Sequence, residues 1–290
     1  MVKILVTGKN SFVGKNFIKQ SKYDQIDEIS LIENKPEEIN FSDYDVVLHL
    51  VAIVHQSKQI EEKEYFRVNR DLCLRTAQEA KKAGVKQFVF LSTVKVYGSY
   101  NPEIGTWNES SICEPDDSYG KSKFAAEKEL EKLVDKDFTV SIVRTPLVYG
   151  EDVKANMLSL INLVEKFPIL PLGNSNNRRS FTSVQNLVAF IDRIIEKRLS
   201  GVFIAKDNRD LSTTELVTYI SKFLKKKLFL LSIPRFIIYF GKRIYPKIFD
   251  RLYGSLEFEN KETLERLDFS PPLSIDEGLR KMIKAYQKNK

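Results

Sequence analysis

Residues 3–14 read Lys3-Ile4-Leu5-Val6-Thr7-Gly8-Lys9-Asn10-Ser11-Phe12-Val13-Gly14. An apolar, β-branched run stops at a glycine and passes at once into a helical pattern, Phe12–Lys19, with Phe12, Val13, Phe17 and Ile18 apolar. Such a turn leaves a helix N-terminus aiming its free N–H groups at whatever sits above the strand end, which makes a phosphate site. The spacing is G-x-x-S-x-x-G, with Ser11 where a middle glycine is usual. Its Cβ restricts close approach, while its hydroxyl is able to donate to a phosphate oxygen. The P-loop pattern does not fit. Gly8 and Gly14 are six apart, and Lys15 is followed by Asn16 rather than Ser or Thr. Two readings of the turn stand: a dinucleotide site contacted by Gly8 and Asn10 to Gly14, and a tight strand-to-helix turn with no ligand.

Strand and helix patterns alternate downstream. Glu28–Ile32 reads as a second strand and Asp45–Ala52 (DVVLHLVA) as a third, nearly all apolar as a doubly buried strand should be. Glu64–Ala83 is helical up to Gly84. Gln87–Ser92 is a strand, Ser118–Val134 a helix and Phe138–Arg144 a strand. The alternation predicts an α/β fold, a Rossmann-like doubly wound parallel sheet. The stretch between the second and third strands is short and polar, so no crossover helix is expected there. After Gly150 the rhythm changes to helices near Asn156–Lys166 and Val184–Lys197, a strand at Gly201–Ala205 and a basic helical remainder. We read 1–150 as a dinucleotide-binding domain, with 178–205 returning to it, and 151–290 as a smaller, mostly helical substrate domain.

Composition bounds the function. The chain has 290 residues with ordinary apolar and charged content, and a net charge of +7 suits anionic ligands. No nucleic-acid motif is present and the lysines are dispersed, so nucleic acid is not an expected partner. Two cysteines make no disulfide framework, and two histidines leave little for a metal site; a reducing, cytoplasmic setting without a metal is expected. No leader-like or membrane-spanning stretch is read.

Glu33, after the second strand, stands where a carboxylate binds a ribose 2′-hydroxyl, while Lys9 and Lys35 offer charge for a 2′-phosphate. NAD and NADP both stay open. The spacing Tyr-x-x-x-Lys occurs twice, at Tyr119/Lys123 and Tyr286/Lys290, so spacing alone selects nothing. Register does. Ala126, Leu130, Leu133 and Val134 continue the Tyr119/Lys123 stripe at helical spacing. A core-facing lysine is costly unless it is used. An ammonium beside a phenol is expected to lower the phenol pKa towards neutrality, making Tyr119 a proton carrier. Ser92 and Thr93, at a strand's carboxyl end, are placed to hold a reacting oxygen.

Taken jointly, the glycine turn, DVVLHLVA, Ser92-Thr93-x-x-Val96-Tyr97-Gly98, Tyr119-x-x-x-Lys123 and Arg144-Thr145-Pro146-Leu147-Val148-Tyr149-Gly150 resemble the extended short-chain dehydrogenase/reductase family. The resemblance implies Thr93, Tyr119 and Lys123 as catalytic residues. It also implies cofactor contacts at Leu50, Ala52, Asn69 and Lys123 beside the turn and Glu33. LVAIVHQ (50–56), residues 92–96, 153–157 and 251–256 further resemble bacterial reductases of UDP-4-keto-6-deoxy-N-acetylhexosamines in surface-polysaccharide pathways. That implies substrate contacts from Thr93, Lys95, Tyr119, Asn156, Arg179 and Arg251. Dehydratases of the wider family carry Asp-Glu after the catalytic Thr; here Val94 and Lys95 stand there, which argues against 4,6-dehydration.

The expected function is NAD(P)H-dependent reduction of the C4 ketone of such a UDP-linked sugar. The alternatives are a UDP-sugar 4-epimerase that retains its NAD and a catalytically silent dinucleotide-binding regulator. A homodimer is compatible with these readings. Lys222–Arg251 holds nine basic residues and one acidic among apolar ones. The run Phe236–Phe240 covers more than one helical face, so it is expected to be buried, without stable membrane association.

Overall fold

The structure, a computed structural model, describes residues 1–54, 60–98 and 105–290. His55 and Gln56 of the 50–56 stretch lie outside the described residues. The first half runs β1 (Ile4–Thr7), α1 (Phe12–Gln20), β2 (Ile26–Ile29), β3 (Val46–His49), α2 (Glu62–Phe66), α3 (Cys73–Lys82), β4 (Gln87–Thr93), α4 (Ser118–Glu131) and β5 (Thr139–Thr145). It continues through β6 (Leu147–Tyr149), α5 (Ala155–Lys166), β7 (Ile169–Leu170), β8 (Phe181–Ser183), α6 (Val184–Lys197) and β9 (Gly201–Ile204). The remainder is α7 (Thr213–Leu224), β10 (Phe229–Leu230), α8 (Arg235–Ile244), α9 (Pro246–Tyr253), α10 (Lys261–Leu267) and α11 (Ile275–Lys288).

Six parallel strands form one sheet in the order β2-β1-β3-β4-β5-β9. Both faces are covered, and the alternation of side chains shows how. Ile4, Val6, Val46, Leu48 and Val89 pack with Phe17 of α1 and Phe190, Ile191 and Ile194 of α6. Leu5, Val47, Phe88 and Phe90 point the other way, onto Cys73, Ala77 and Ala80 of α3 and Ala126 and Leu130 of α4. This is a Rossmann-like doubly wound sheet, and its strands are apolar on both faces for that reason. The chain passes from β2 on one side of β1 to β3 on the other. Ligands of open α/β sheets bind at the crevice such a reversal opens, and Gly8 lies at its mouth.

Several boundaries differ from the sequence reading. β2 lies at Ile26–Ile29, because its ladder with β1 pairs Ile4 with Ile26 and Thr7 with Ile29. Glu33 therefore falls in an exposed turn four residues beyond the strand. Two single 3₁₀ turns, Pro36–Glu38 and Phe41–Asp43, replace a crossover helix between β2 and β3. The helix read over Glu64–Ala83 is interrupted by a π segment, Arg67–Leu72, with the buried Asn69 inside it. α4 ends at Glu131, which leaves Leu133 and Val134 beyond the helix and Val134 exposed.

A second core gathers Met157 and Ile161 of α5, Leu216 and Ile220 of α7, and Leu279 and Ile283 of α11 around Tyr149. A buried polar bracket ties it to the sheet. Tyr149 donates to Asp207 Oδ2 at 2.7 Å, Asp207 accepts from the Ser183 and Asn186 nitrogens, and the Asn186 amide pairs with the Leu273 backbone. Buried polar groups this fully paired hold one packing against others.

Candidate active site

The glycine turn is a backbone cradle. Gly8 has φ +100°, and a Cβ there would meet the Leu50 carbonyl carbon and the Val51 nitrogen at 3.3 Å, so a side chain is barred twice over. Asn10 also takes positive φ, and its N–H donates to Glu28 Oε2 at 3.2 Å. Ser11 caps α1, its Oγ accepting from Gly14 N at 3.1 Å. The cap is satisfied at Gly14, so the amides of Phe12 and Val13 are left at the open helix end for an anion. Leu50 borders this cradle, and Ala52 follows two residues on. The carboxylate that the fold brings to the turn is Glu28, while Glu33 stays in its exposed loop. Nothing in the sequence pattern singled out Glu28, because its position depends on the β1–β2 register.

Asn69 is wholly buried, and its amide is fully committed. It accepts from Ile53 N at 2.7 Å, donates to Ile53 O at 3.0 Å and donates to Ser122 Oγ at 2.9 Å. It thereby clips the segment after β3 to α4. The π segment supplies its reach; such bulges recur at functional sites.

α4 begins at Asp117, whose Oδ1 accepts from Gly120 N at 2.7 Å. Gly120 passes so near the 3₁₀ turn after β4 that a Cβ would come within 2.6 Å of the Lys95 carbonyl oxygen. That close approach sets Tyr119 against Thr93. The two candidate hydroxyls at the strand end part company here. Ser92 Oγ donates to Glu127 Oε1, whereas Thr93 Oγ1 accepts from Lys95 N at 3.2 Å and lies close enough to the Tyr119 phenol to act on it. Lys95 caps the arrangement from outside, paired with Asp117 at 3.2 Å.

The electrostatics differ from expectation. Burial pushes the Tyr119 phenol up to about 12, against a lowering from the Thr93 hydrogen bond. The Lys123 ammonium sits 3.7 Å from the Phe90 ring centroid, and burial lowers it to about 8. The ring face supports the ammonium inside the core. His49, beneath, is buried, bonded through Nδ1 to Thr7 Oγ1 at 2.9 Å and driven to about 3 by burial and then by Lys123. It is neutral at any physiological pH.

One turn beyond Lys123, Glu127 anchors a network that sequence reading missed. Arg144 Nη2 donates to Glu127 Oε2 at 2.6 Å and Arg144 Nη1 to Tyr97 Oη at 2.7 Å, all buried. Together with Ser92 it pins α4 to β4 and β5. A carboxylate on the Tyr119/Lys123 stripe was the available signal, since a buried acid demands a partner.

Asn156, Arg179 and Arg251 form a second cluster, drawn from α5, the segment before β8, and α9. Arg251 Nη1 donates to Asn156 Oδ1 at 3.4 Å, and Arg179 Nη1 donates to the Asp250 and Gly254 carbonyls at 3.2 and 2.9 Å. Burial first and the Arg251 charge second work against the Arg179 charge. Two guanidinium groups so placed gain from an anion that neutralises both, and a diphosphate meets that need.

Comparisons with known proteins bear on the family and the fold. The family model described as NAD dependent epimerase/dehydratase family matches residues 4–203. UDP-glucose 4-epimerase of Vibrio cholerae is 33% identical over 98% of this chain and 95% of its own. UDP-2-acetamido-2,6-beta-L-arabino-hexul-4-ose reductase of Pseudomonas aeruginosa is 26% identical over 69% of this chain and 51% of its own. Among solved structures, dTDP-4-dehydrorhamnose reductase from Bacillus anthracis, in complex with NADP, superposes with TM-score 0.78 over the whole of both chains at 21% identity.

Proposed function

Because the chain belongs to the NAD dependent epimerase/dehydratase family, whose members include nucleotide-sugar epimerases, dehydratases and reductases, we propose that it exchanges a hydride with C4 of a UDP-linked hexose. The observation that carries this is the closeness of Thr93 and Tyr119 at the half-buried start of α4, with the buried Lys123 one turn behind. The glycine cradle fits a dinucleotide: the Phe12 and Val13 amides would take its pyrophosphate, Leu50 and Ala52 would flank it, and Lys123 would hold a ribose hydroxyl. The hydride would be supplied or accepted by NAD(P)(H) held there. Thr93 holds the sugar O4. Tyr119, protonated at neutral pH, gives its proton to that oxygen as the ketone becomes an alcohol and takes it back in reverse. Arg179, Arg251 and Asn156 hold the diphosphate. Val94 and Lys95 leave the site without the acid–base pair of sugar 4,6-dehydratases.

Two net outcomes share this half-reaction. The 4-epimerase reading is supported by 33% identity to an epimerase along nearly its whole length. The 4-reductase of a UDP-4-keto-6-deoxy-N-acetylhexosamine is supported by the sequence stretches around Thr93, Asn156 and Arg251 and by a more distant reductase relative. NAD(P)H needs and the two free thiols, Cys73 and Cys113, support a cytoplasmic setting. The test is mass spectrometry of products from UDP-hexoses without added cofactor and from UDP-4-keto sugars with NADH or NADPH. Interconversion of C4 epimers with copurified NAD supports the epimerase. Cofactor-consuming reduction supports the reductase, and inertness of both panels refutes the reading.

A further inference from the structure

The apolar run of α8, expected inside, is on the surface. Phe236, Ile237, Tyr239, Phe240 and Ile244 are 42–67% exposed. Phe236, Phe240 and Ile244 follow at i, i+4 and i+8 with Ile237 beside them, so they form one stripe along the helix. The less exposed Ile238 lies on the other side, and the less exposed Gly241 lies at the edge of the stripe, one turn after Ile237. At Gly241 a Cβ would fall within 2.1 Å of the Phe249 ring, so α9 packs there and leaves the stripe uncovered. Nine large apolar side chains between Phe229 and Ile248 are exposed. Isolated exposed apolar residues are ordinary, but a concentration like this marks an interaction surface.

Charge says what kind of surface it meets. Exposed Lys225, Lys226, Lys227, Lys242 and Arg243 lie along the same stretch. Its one carboxylate, Asp250, is paired with Lys242 at 3.6 Å. We propose that α8, backed by α9, docks on an anionic lipid bilayer, with the Phe236–Phe240–Ile244 stripe at the headgroup–acyl boundary and the flanking cations on lipid phosphates. A second copy of this chain is a poor occupant, because a two-fold contact sets the same cations against each other. Arg251 lies on α9, so docking holds the Arg179–Arg251 anion site close to the bilayer. The docking itself does not depend on what that site binds.

The test is cosedimentation with vesicles of phosphatidylglycerol and phosphatidylcholine, against phosphatidylcholine alone, at 0.15 M salt. The wild type is expected to pellet with the anionic vesicles and at least tenfold less with the neutral ones. Phe236→Asp/Phe240→Asp and, separately, Lys242→Glu/Arg243→Glu should each weaken binding at least tenfold with an unchanged melting temperature. If the apolar pair also lowers the melting temperature, Ile244→Asp replaces it. A wild type that stays in solution with anionic vesicles overturns the proposal. So does binding that neither pair of substitutions weakens, and so does a dimer that the apolar substitutions dissociate without any lipid binding.

Discussion

Lys123 Nζ stands 3.7 Å from the centroid of the Phe90 ring. A ring face thus takes the place of an acceptor for a buried ammonium in the middle of the doubly covered sheet. Cation–π contact recovers only part of the lost hydration, and the lysine is lowered to about 8 in consequence. The site holds a charge that the fold would rather be without, and that has measurable consequences.

Lys123→Met should stabilise the fold while abolishing turnover. The folded-state pKa lies below the ordinary 10.5, so between about pH 8 and 10.5 the unfolded chain binds more protons than the native one. Wild-type stability should therefore rise with pH across that window, with the full penalty present below it. A shift of this size corresponds to about 3 kcal/mol. Urea unfolding at pH 7 and pH 10 should show the rise in the wild type and its absence in Lys123→Met. Equal pH slopes would contradict the burial of the charge.

Tyr119→Phe should leave the melting temperature unchanged and lower turnover by about 10²–10⁴, the worth of a positioned acid. The phenol is held up at about 12, so it is protonated at neutral pH. Single-turnover reduction should be flat from pH 6 to 9. Oxidation, which needs the phenolate, should gain nearly tenfold per pH unit. A pH-independent oxidation rate would remove Tyr119 as the proton acceptor.

Arg144→Met should destabilise by about 3–5 kcal/mol, because it leaves the Glu127 carboxylate buried and uncompensated. Glu127→Met/Arg144→Met should recover most of that loss, since neither charge then needs solvating. Urea midpoints decide it. A double variant no better than the single one would show that Tyr97 and Ser92, rather than the ion pair, dominate the network.

Arg251→Ala should raise KM for the UDP-sugar about tenfold with little change in kcat, as expected of uniform binding remote from the reacting carbon. Its side chain is exposed and bonded to Asn156, so stability should not move. Arg179→Ala should cost both affinity and stability, because Arg179 also ties the Asp250 and Gly254 carbonyls. An unchanged KM in Arg251→Ala would take Arg251 out of the site.

What the sequence alone determined is local in origin. Apolar runs with β-branched residues mark the strands, Gly8 marks the turn, and the 3.6-residue period puts Tyr119 and Lys123 on one inward stripe. These follow from backbone sterics and side-chain periodicity, which act over a few residues. Only the tertiary structure decided the rest. The β1–β2 register moved Glu33 away from the strand end and brought Glu28 to the turn. The carboxylate of Glu127 claimed Ser92 and left Thr93 for Tyr119. The Phe90 ring took the Lys123 ammonium, and burial rather than a neighbouring cation set the phenol's pKa. Asn156, Arg179 and Arg251 meet because the fold brings α5, the segment before β8 and α9 together. The run Phe236–Phe240 looks like core by composition, yet α9 covers only one side of α8. Burial depends on which neighbour the fold provides, and periodicity carries no information about that.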